Sequence, residues 1–359
     1  MESFPIEALD KITPPVINTF GLELWDGTAN VGWYVNGSHA GTEQDPYQIG
    51  NGRDLAGLME IISLGTGNAI AYDNGTASPT YGKVGNNFLS VGSYQTTDFS
   101  GKFVKLTNHI YLNTYNPLGD GDADEMTFAD FSNSKNSGNP INWNNSGEKA
   151  FSGSFDGQNK TVIGLVQNNY SGYGGVFGQI ANGDIKNTAL HSGYIKATAS
   201  SGGIVGYANS SSTTNITNCT NYGNITTSSS SGGIVGGISD NSSDPMINIT
   251  NCTNYGNITS SSRSGGIVGS ISNNSSNSMM TVTNCTNYGN ITVSSYYSGG
   301  IVGYISSNST INITNCTNYG NVTSSNYYSG GIVGYISNNS SNSTINITNC
   351  TNYGNVTSY

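Results

Sequence analysis

From Gly202 to Tyr359 the apolar positions recur in a fixed rhythm. A Gly-Gly-Ile-Val-Gly block is followed by a Ser- and Asn-rich stretch, and then by Thr-Asn-Cys-Thr-Asn-Tyr-Gly-Asn. The glycine blocks begin at Gly202, Gly232, Gly265, Gly299 and Gly330, so the spacing runs between 30 and 34 residues. Self-similarity at a period of about 20 to 50 residues marks a solenoid or array. One copy is too short and too thinly apolar to fold alone, so its Ile, Val and Cys side chains must be buried by stacking on further copies. Within a copy, Ile311 and Ile313 alternate with Thr310, Asn312 and Thr314 at the strand period of two. The strong helix formers are almost missing from the same stretch. The pattern predicts three strands per turn, at residues 299–305, 310–314 and 319–323, with equivalent strands ~4.8 Å apart. The expected fold is all-β, a parallel β-solenoid with about 31–34 residues per turn.

The first half is patterned differently. Residues 54–62 form the one good amphipathic helix, with Leu55, Leu58, Met59 and Ile62 on one face, and the pattern predicts a short helix capping the N-terminal end. Strands are predicted at residues 102–112 and 160–166. Gly174-Gly175-Val176-Phe177-Gly178 is a diverged glycine block, so the stack begins before Ser200. Three regions result: an extended arm over 1–24 containing Pro14-Pro15, a capping region with irregular first turns over 25–200, and the regular array over 201–359. The repeat runs unchanged to Tyr359, and an open terminal rung would leave backbone groups and apolar side chains in water. The expectation is that a continuation of the chain or another copy covers it, which makes end-to-end self-assembly the expected partnership, with the arm before Asn18 a candidate for reaching across.

The Gly-Ile-Val-Gly blocks resemble the GLUG motif (Gly, Leu, a hydrophobic residue, Gly) of bacterial and archaeal adhesin-like surface proteins, with Ile in place of Leu. Further upstream, four segments resemble the region that precedes such repeats. They are Gly41-Thr42-Glu43-Gln44-Asp45-Pro46-Tyr47-Gln48-Ile49, Asp54-Leu55-Ala56-Gly57-Leu58, the run from Phe99 to Thr107, and Phe151-Ser152-Gly153-Ser154-Phe155-Asp156-Gly157. The resemblance extends from about Trp25 to the end. It implies a right-handed β-helix on a secreted or surface-attached protein, and it implies no catalytic residues. His109 stands where the family usually carries Asp.

Charge narrows the function classes. Asp, Glu, Lys and Arg make up 9% of the chain and the net charge is −10, which argues against nucleic acid or an anionic membrane as partner. From Ser200 onward the charged side chains are Asp240, Asp244 and Arg263 alone. No apolar run is long enough to span a membrane. Met1-Glu2-Ser3-Phe4-Pro5 lacks the regions of a signal peptide, which we read as a mature or trimmed start of an extracellular protein.

Several residue types recur at one phase of the repeat. Cys219, Cys252, Cys285, Cys316 and Cys350 form one column, read as an inward ladder of small apolar thiols. Bridges between rungs are the alternative, because Cα atoms ~4.8 Å apart lie inside disulfide range, although five thiols cannot all pair. Tyr222, Tyr255, Tyr288, Tyr319 and Tyr353 form a second column, and Tyr296-Tyr297 and Tyr327-Tyr328 sit at a bend. Structural stacking is the reading adopted for them; binding of a glycan or host-surface ligand on their ring faces is the alternative. Asn315, Asn318 and Asn321 recur in every unit as ladders at bends. Asn-x-Ser/Thr triplets are dense, and those on ladders would be blocked sterically, which leaves Asn273, Asn308 and Asn338 as the open candidates for glycosylation.

Catalysis finds little support in the residues. Glycan-degrading β-helices need clustered carboxylates with a basic partner, and the array has almost none. His39, His109 and His191 lie in unrelated segments and no Gly-x-Ser-x-Gly is present. Asp120, Asp122 and Asp124 have a spacing that suits a structural Ca²⁺, but Glu125 and Phe131 break the EF-hand pattern, so a solvated acidic loop is preferred and no cofactor is expected. An ice-binding face is disfavoured because the recurring Thr sit in Asn-x-Thr triplets. The sequence reads as a non-enzymatic extracellular stalk or filament subunit, with a glycan-binding module or a carbohydrate-active enzyme as the competing class.

Overall fold

The computed structural model describes residues 23–35, 37–66, 97–115, 128–145, 149–240, 246–273, 278–307, 309–325, 328–337 and 343–359. It is all-β, with parallel strands stacked into a solenoid. One turn, taken as the rung from Ser298 to Ser324, contains five pieces: Ser298–Gly299, Val302–Ser307, Thr310–Thr314, Thr317–Asn318 and Val322–Ser324. Each pairs in parallel and in register with its equivalents below and above. Val302 lies between Val268 and Val333, Ile311 between Met280 and Ile345, and Val322 between Ile291 and Val356. Equivalent positions therefore stack on one another, and each position of the repeat becomes a column along the axis.

The expected strand at 299–305 begins later, at Val302. The chain bends at Gly300, where a Cβ would lie 2.5 Å from Asn318 Cγ, so the Asn amide occupies the inside of the bend. Likewise 319–323 is not one strand. Tyr319 and Gly320 form a turn, with the Gly320 carbonyl accepting a hydrogen bond from Asn318 Nδ2 at 2.8 Å, and pairing resumes at Val322. A Cβ on Gly289 would stand 1.9 Å from the Gly256 carbonyl oxygen, so only glycine lets successive turns close to strand spacing here. The corner before each cysteine is turned by Asn in the left-handed region, with φ of 54° or 55° at Asn218, Asn251, Asn284, Asn315 and Asn349. Asn accepts this conformation better than most side chains do, and it aims the following Cys inward.

Early turns are built with longer strands. Ser154–Tyr170 and Asp184–Ala197 run continuously where later turns break into three pieces, and this merges two faces of the shaft into a 20-stranded sheet. The predicted strand at 102–112 splits into Phe103–Leu106 and Ile110–Tyr111. Tyr47–Ile49 pairs with Phe103–Leu106, which pairs with Ser154–Tyr170, so one ladder joins the capping region to the array without a break. Phe177 pairs with Val205, placing the diverged glycine block one turn below the first regular one.

The core follows the repeat. Ile301, Val302, Ile305, Ile311, Ile313, Cys316 and Val322 are fully buried, and each branched aliphatic contributes about 1.5–3 kcal/mol by leaving water. Toward the N-terminal end of the described residues the interior is aromatic. Trp25 meets Trp143 edge-on at 5.4 Å, and Trp33, Tyr47, Phe99, Phe151 and Phe177 form a chain of ring contacts. Helix α1 (Gly32–Val35) and helix α2 (Gly52–Ser63) lie at that end. The Asn51 side chain caps α2 by accepting from the Asp54 N–H, and Leu55, Leu58, Met59, Ile61 and Ile62 bury into the same core as Ile49 and Leu106. Gly57 is buried against the Asn30 carbonyl, so the segment carrying α1 covers the other side of α2. No helix of the described residues is long and apolar enough to cross a membrane.

Candidate functional site: the side-chain ladders of the shaft

The tyrosine column is a continuous stack. Tyr222, Tyr255, Tyr288, Tyr319 and Tyr353 follow one another at centroid separations of 4.6, 4.8, 4.9 and 5.0 Å, the first three pairs within 4° of parallel. The His191 ring lies at its foot, 5.6 Å from Tyr222. Burial raises the phenol pKa of Tyr222, Tyr255 and Tyr288, and the neighbouring phenols raise the latter two further. With faces covered by the next ring, this column presents mainly edges to a ligand.

The cysteine column points inward. Cys219, Cys252, Cys285 and Cys316 are buried, Cys350 is half-buried, and all five thiols are free. Each sulfur sits against two backbone carbonyls; Cys285 Sγ, for example, is 3.3 Å from Thr283 O and 3.7 Å from Ile249 O. Burial pushes the Cys252 and Cys285 thiols well up, with the adjacent thiol of the column adding to the shift. At Cys316 the larger cause is the Cys285 thiol, and burial is second. A buried neutral thiol is a poor nucleophile and a poor metal ligand.

The asparagines divide into four columns. Asn221, Asn254, Asn287 and Asn318 are fully buried, and each Nδ2 donates both to the glycine carbonyl two residues on and to Oδ1 of the next Asn in the column, at 2.7–2.8 Å. Asn315, Asn284, Asn251 and Asn218 form an exposed ladder, each amide donating to the turn below, and the ladder ends on Asn187 and the Asp156 carboxylate. Asn290, Asn321 and Asn355 take part in a third column, in which each side-chain oxygen accepts the backbone N–H of the Asn one turn on, as Asn290 does from Asn321 and Asn321 from Asn355. At Asp156 burial disfavours the charge, but the Asn187 amide, the Gln158 N–H and Lys186 outweigh it and hold the carboxyl below its ordinary value. A fourth run, Asn248 to Asn215 to Asp184, also ends on a carboxylate.

The remaining candidates do not converge. His39 bonds Asp45 at 2.6 Å, His109 Nδ1 accepts from the Thr161 N–H at 3.2 Å, and His191 Nδ1 meets Ser192 Oγ at 2.8 Å, so each histidine has a different partner. The His39 hydrogen bond, followed by the Ala40 N–H, lowers the Asp45 pKa, and burial followed by Lys160 lowers that of His109. Among the described residues no group of three or more His, Cys, Asp or Glu is arranged to hold a metal ion. Asp120, Asp122 and Asp124 lie outside the described residues, as do Asn308 and Asn338; Asn273 ends the strand Val268–Asn273.

Two surface features were not legible from single positions. A trough of about 430 Å³ runs up one face, floored by the in-register Thr226, Thr259 and Thr292 with Ser228, Ser261 and Ser294 alongside, and Lys196 at its foot. On another face the residue after each glycine block forms the column Tyr207, Gly237, Ser270, Tyr304, Tyr335. There Tyr297 stacks on Tyr304 at 5.0 Å and on Tyr335 at 4.4 Å, Tyr328 tilts onto Tyr335 at 4.7 Å, and the Arg263 guanidinium lies 4.3 Å over the Tyr304 ring. The sequence signal was the Tyr-Tyr pairs. Their partners Tyr304 and Tyr335 follow a glycine block and belong to the cluster only through the winding of the chain.

No family model and no curated protein matches this chain. Among solved structures it is similar to a candidate immunoglobulin A1 protease from Bacteroides ovatus, with a TM-score of 0.52 and 19% identity over 88% of this chain and 85% of that one. At that identity the likeness shows a shared fold.

Proposed function

We propose that this chain is a non-catalytic, extracellular or cell-surface scaffold, an adhesin-like shaft of the GLUG type. The observation that carries the reading is the ladder system itself. Turn after turn, the repeated Asn, Tyr and Cys positions are committed to their copies above and below, through amide hydrogen bonds, stacked rings and packed thiols. Such a surface suits extension and rigidity, because each added turn satisfies the one before it. The shaft's near lack of charge supports the same reading, since hydrolysis of glycosidic or peptide bonds requires positioned acids, bases or nucleophiles. Extracellular placement is supported by the Gly-, Ser-, Thr- and Asn-dominated composition.

The test is direct. Purified protein is incubated with immunoglobulin A1, suggested by the name of the structural neighbour, and separately with a panel of plant and bacterial polysaccharides, followed by electrophoresis and reducing-end assay. The expected result is no cleavage, together with rigid rods in negative-stain images. Turnover of any substrate that survives repurification would overturn the scaffold reading.

A further inference from the structure

The repeat provides its own control for what the fold requires. Two adjacent columns flank the last four glycine blocks: Ser230, Arg263, Tyr297 and Tyr328 before, and Gly237, Ser270, Tyr304 and Tyr335 after; on the first block Tyr207 instead stacks on Tyr173. The backbone pairs identically throughout. The N–H groups of Ser201, Ser231, Ser264 and Ser298 donate to the carbonyls of Ser230, Arg263, Tyr297 and Tyr328 in turn, at 2.8–3.0 Å. Ser and Gly therefore suffice for closing a turn, and the rings on the upper two turns are surplus to the fold. They are also partly open to water: Tyr328 is 46% exposed, and Tyr297, Tyr304 and Tyr335 are half-buried. A group of partly exposed rings that the closing of a turn does not require is a mark of a binding surface.

We infer that Arg263, Tyr297, Tyr304, Tyr328 and Tyr335 form a binding site for an acidic saccharide. Three features converge on that ligand. Tyr328, exposed and tilted rather than stacked on Tyr297 and Tyr335, offers flat apolar surface to the C–H face of a pyranose, and the stacked rings beside it present edges and hydroxyls that both donate and accept. Arg263 is the one cation of the chain beyond Ser200, and among the described residues it has no ion-pair partner. Its guanidinium is held against Tyr304, which leaves its planar edge of N–H donors to take a carboxylate in the bidentate manner. The charge complementarity selects a uronic or other carboxylated sugar over a neutral one. From the turn of Arg263 to that of Tyr328 is two strand spacings, about 10 Å, which seats two sugar rings along the axis.

This deepens the scaffold reading by giving the shaft a ligand, and the two fail separately. The experiment is calorimetric titration of the intact chain with tetragalacturonate and with a neutral galactose tetramer. The variants take their residues from the lower turns: Tyr297→Ser and Tyr335→Ser, with Arg263→Gln, each checked for an unchanged melting curve. Binding of the acidic tetramer is expected, with a loss of about tenfold in each Tyr variant. Arg263→Gln is expected to erase the preference over the neutral tetramer. A wild-type chain that binds neither tetramer overturns the site, as does undiminished binding in folded Tyr variants. Equal binding of both tetramers, unaltered by Arg263→Gln, overturns the acidic class, and capture of polyglutamate in place of either sugar overturns the saccharide. Cleavage of the tetramer instead would overturn the non-catalytic reading and leave the site standing.

Discussion

Replacing Asn287 by Ala tests whether the buried amide column couples one turn to the next. Three hydrogen bonds meet on this side chain: Nδ2 to Gly289 O at 2.8 Å, Nδ2 to Asn318 Oδ1 at 2.7 Å, and Asn254 Nδ2 to Asn287 Oδ1 at 2.8 Å. Truncation strands one donor and two acceptors in a site with no solvent access. Each stranded group costs about 1–3 kcal/mol, and carbonyl oxygens sit at the lower end, so the sum is roughly 3–5 kcal/mol. The control is Asn248→Thr on the outer face. Thr281 already occupies the equivalent place one turn on, donating to Asn248, so a change within about 1 kcal/mol is expected. Urea unfolding followed by circular dichroism measures both, with attention to whether Asn287→Ala splits the transition, because a stack unfolds as coupled nearest neighbours. If Asn287→Ala costs less than about 1 kcal/mol, or no more than Asn248→Thr, the amide column is not what locks the turns and the reasoning fails.

Thiol labelling under native conditions should modify Cys350 first and leave Cys219, Cys252, Cys285 and Cys316 protected until denaturant is added; prompt reaction at all five would contradict the inward column. The thiols of Cys252 and Cys285 titrate higher folded than unfolded, so their contribution is complete below the unfolded thiol pKa of ~8.5 and is lost as pH rises above it. Melting temperature should accordingly fall above about pH 9, and less steeply in Cys285→Val. Asp156 is shifted the other way: its stabilisation is present above the unfolded carboxylate value of ~3.9 and lost as pH falls below it, and Asp156→Asn should flatten that acid limb of the stability curve. Gly289→Ala should prevent the turn from closing, at a cost above about 3 kcal/mol, seen as loss of soluble folded protein; a wild-type melt would show that the Gly256 carbonyl can move away.

The local period determined much of this protein without help from tertiary structure. Repetition of one apolar pattern at about 30 residues forces identical units to bury one another, and alternation at Ile311 and Ile313 demands a strand, so a parallel β-solenoid was legible. The capping helix was legible for the same reason, through Leu55, Leu58, Met59 and Ile62. What the winding decided is the fate of residues that look alike in the chain. Asn315, Asn318 and Asn321 stand three apart in one motif. Asn315 turns a corner in the left-handed region, Asn318 is sealed in the core, and Asn321 receives a backbone N–H from the turn above. Strand limits at the Gly-Gly bends were illegible because the partner filling the bend, the Asn318 amide, arrives from 18 residues further along the chain. The aromatic interior near Trp25 and Trp143, and the cluster of Arg263 with Tyr304, are contacts between distant residues, so no local pattern encodes them. A sequence states which side chains each turn carries; only the stacking of turns determines which of them meet, and on which side of the wall.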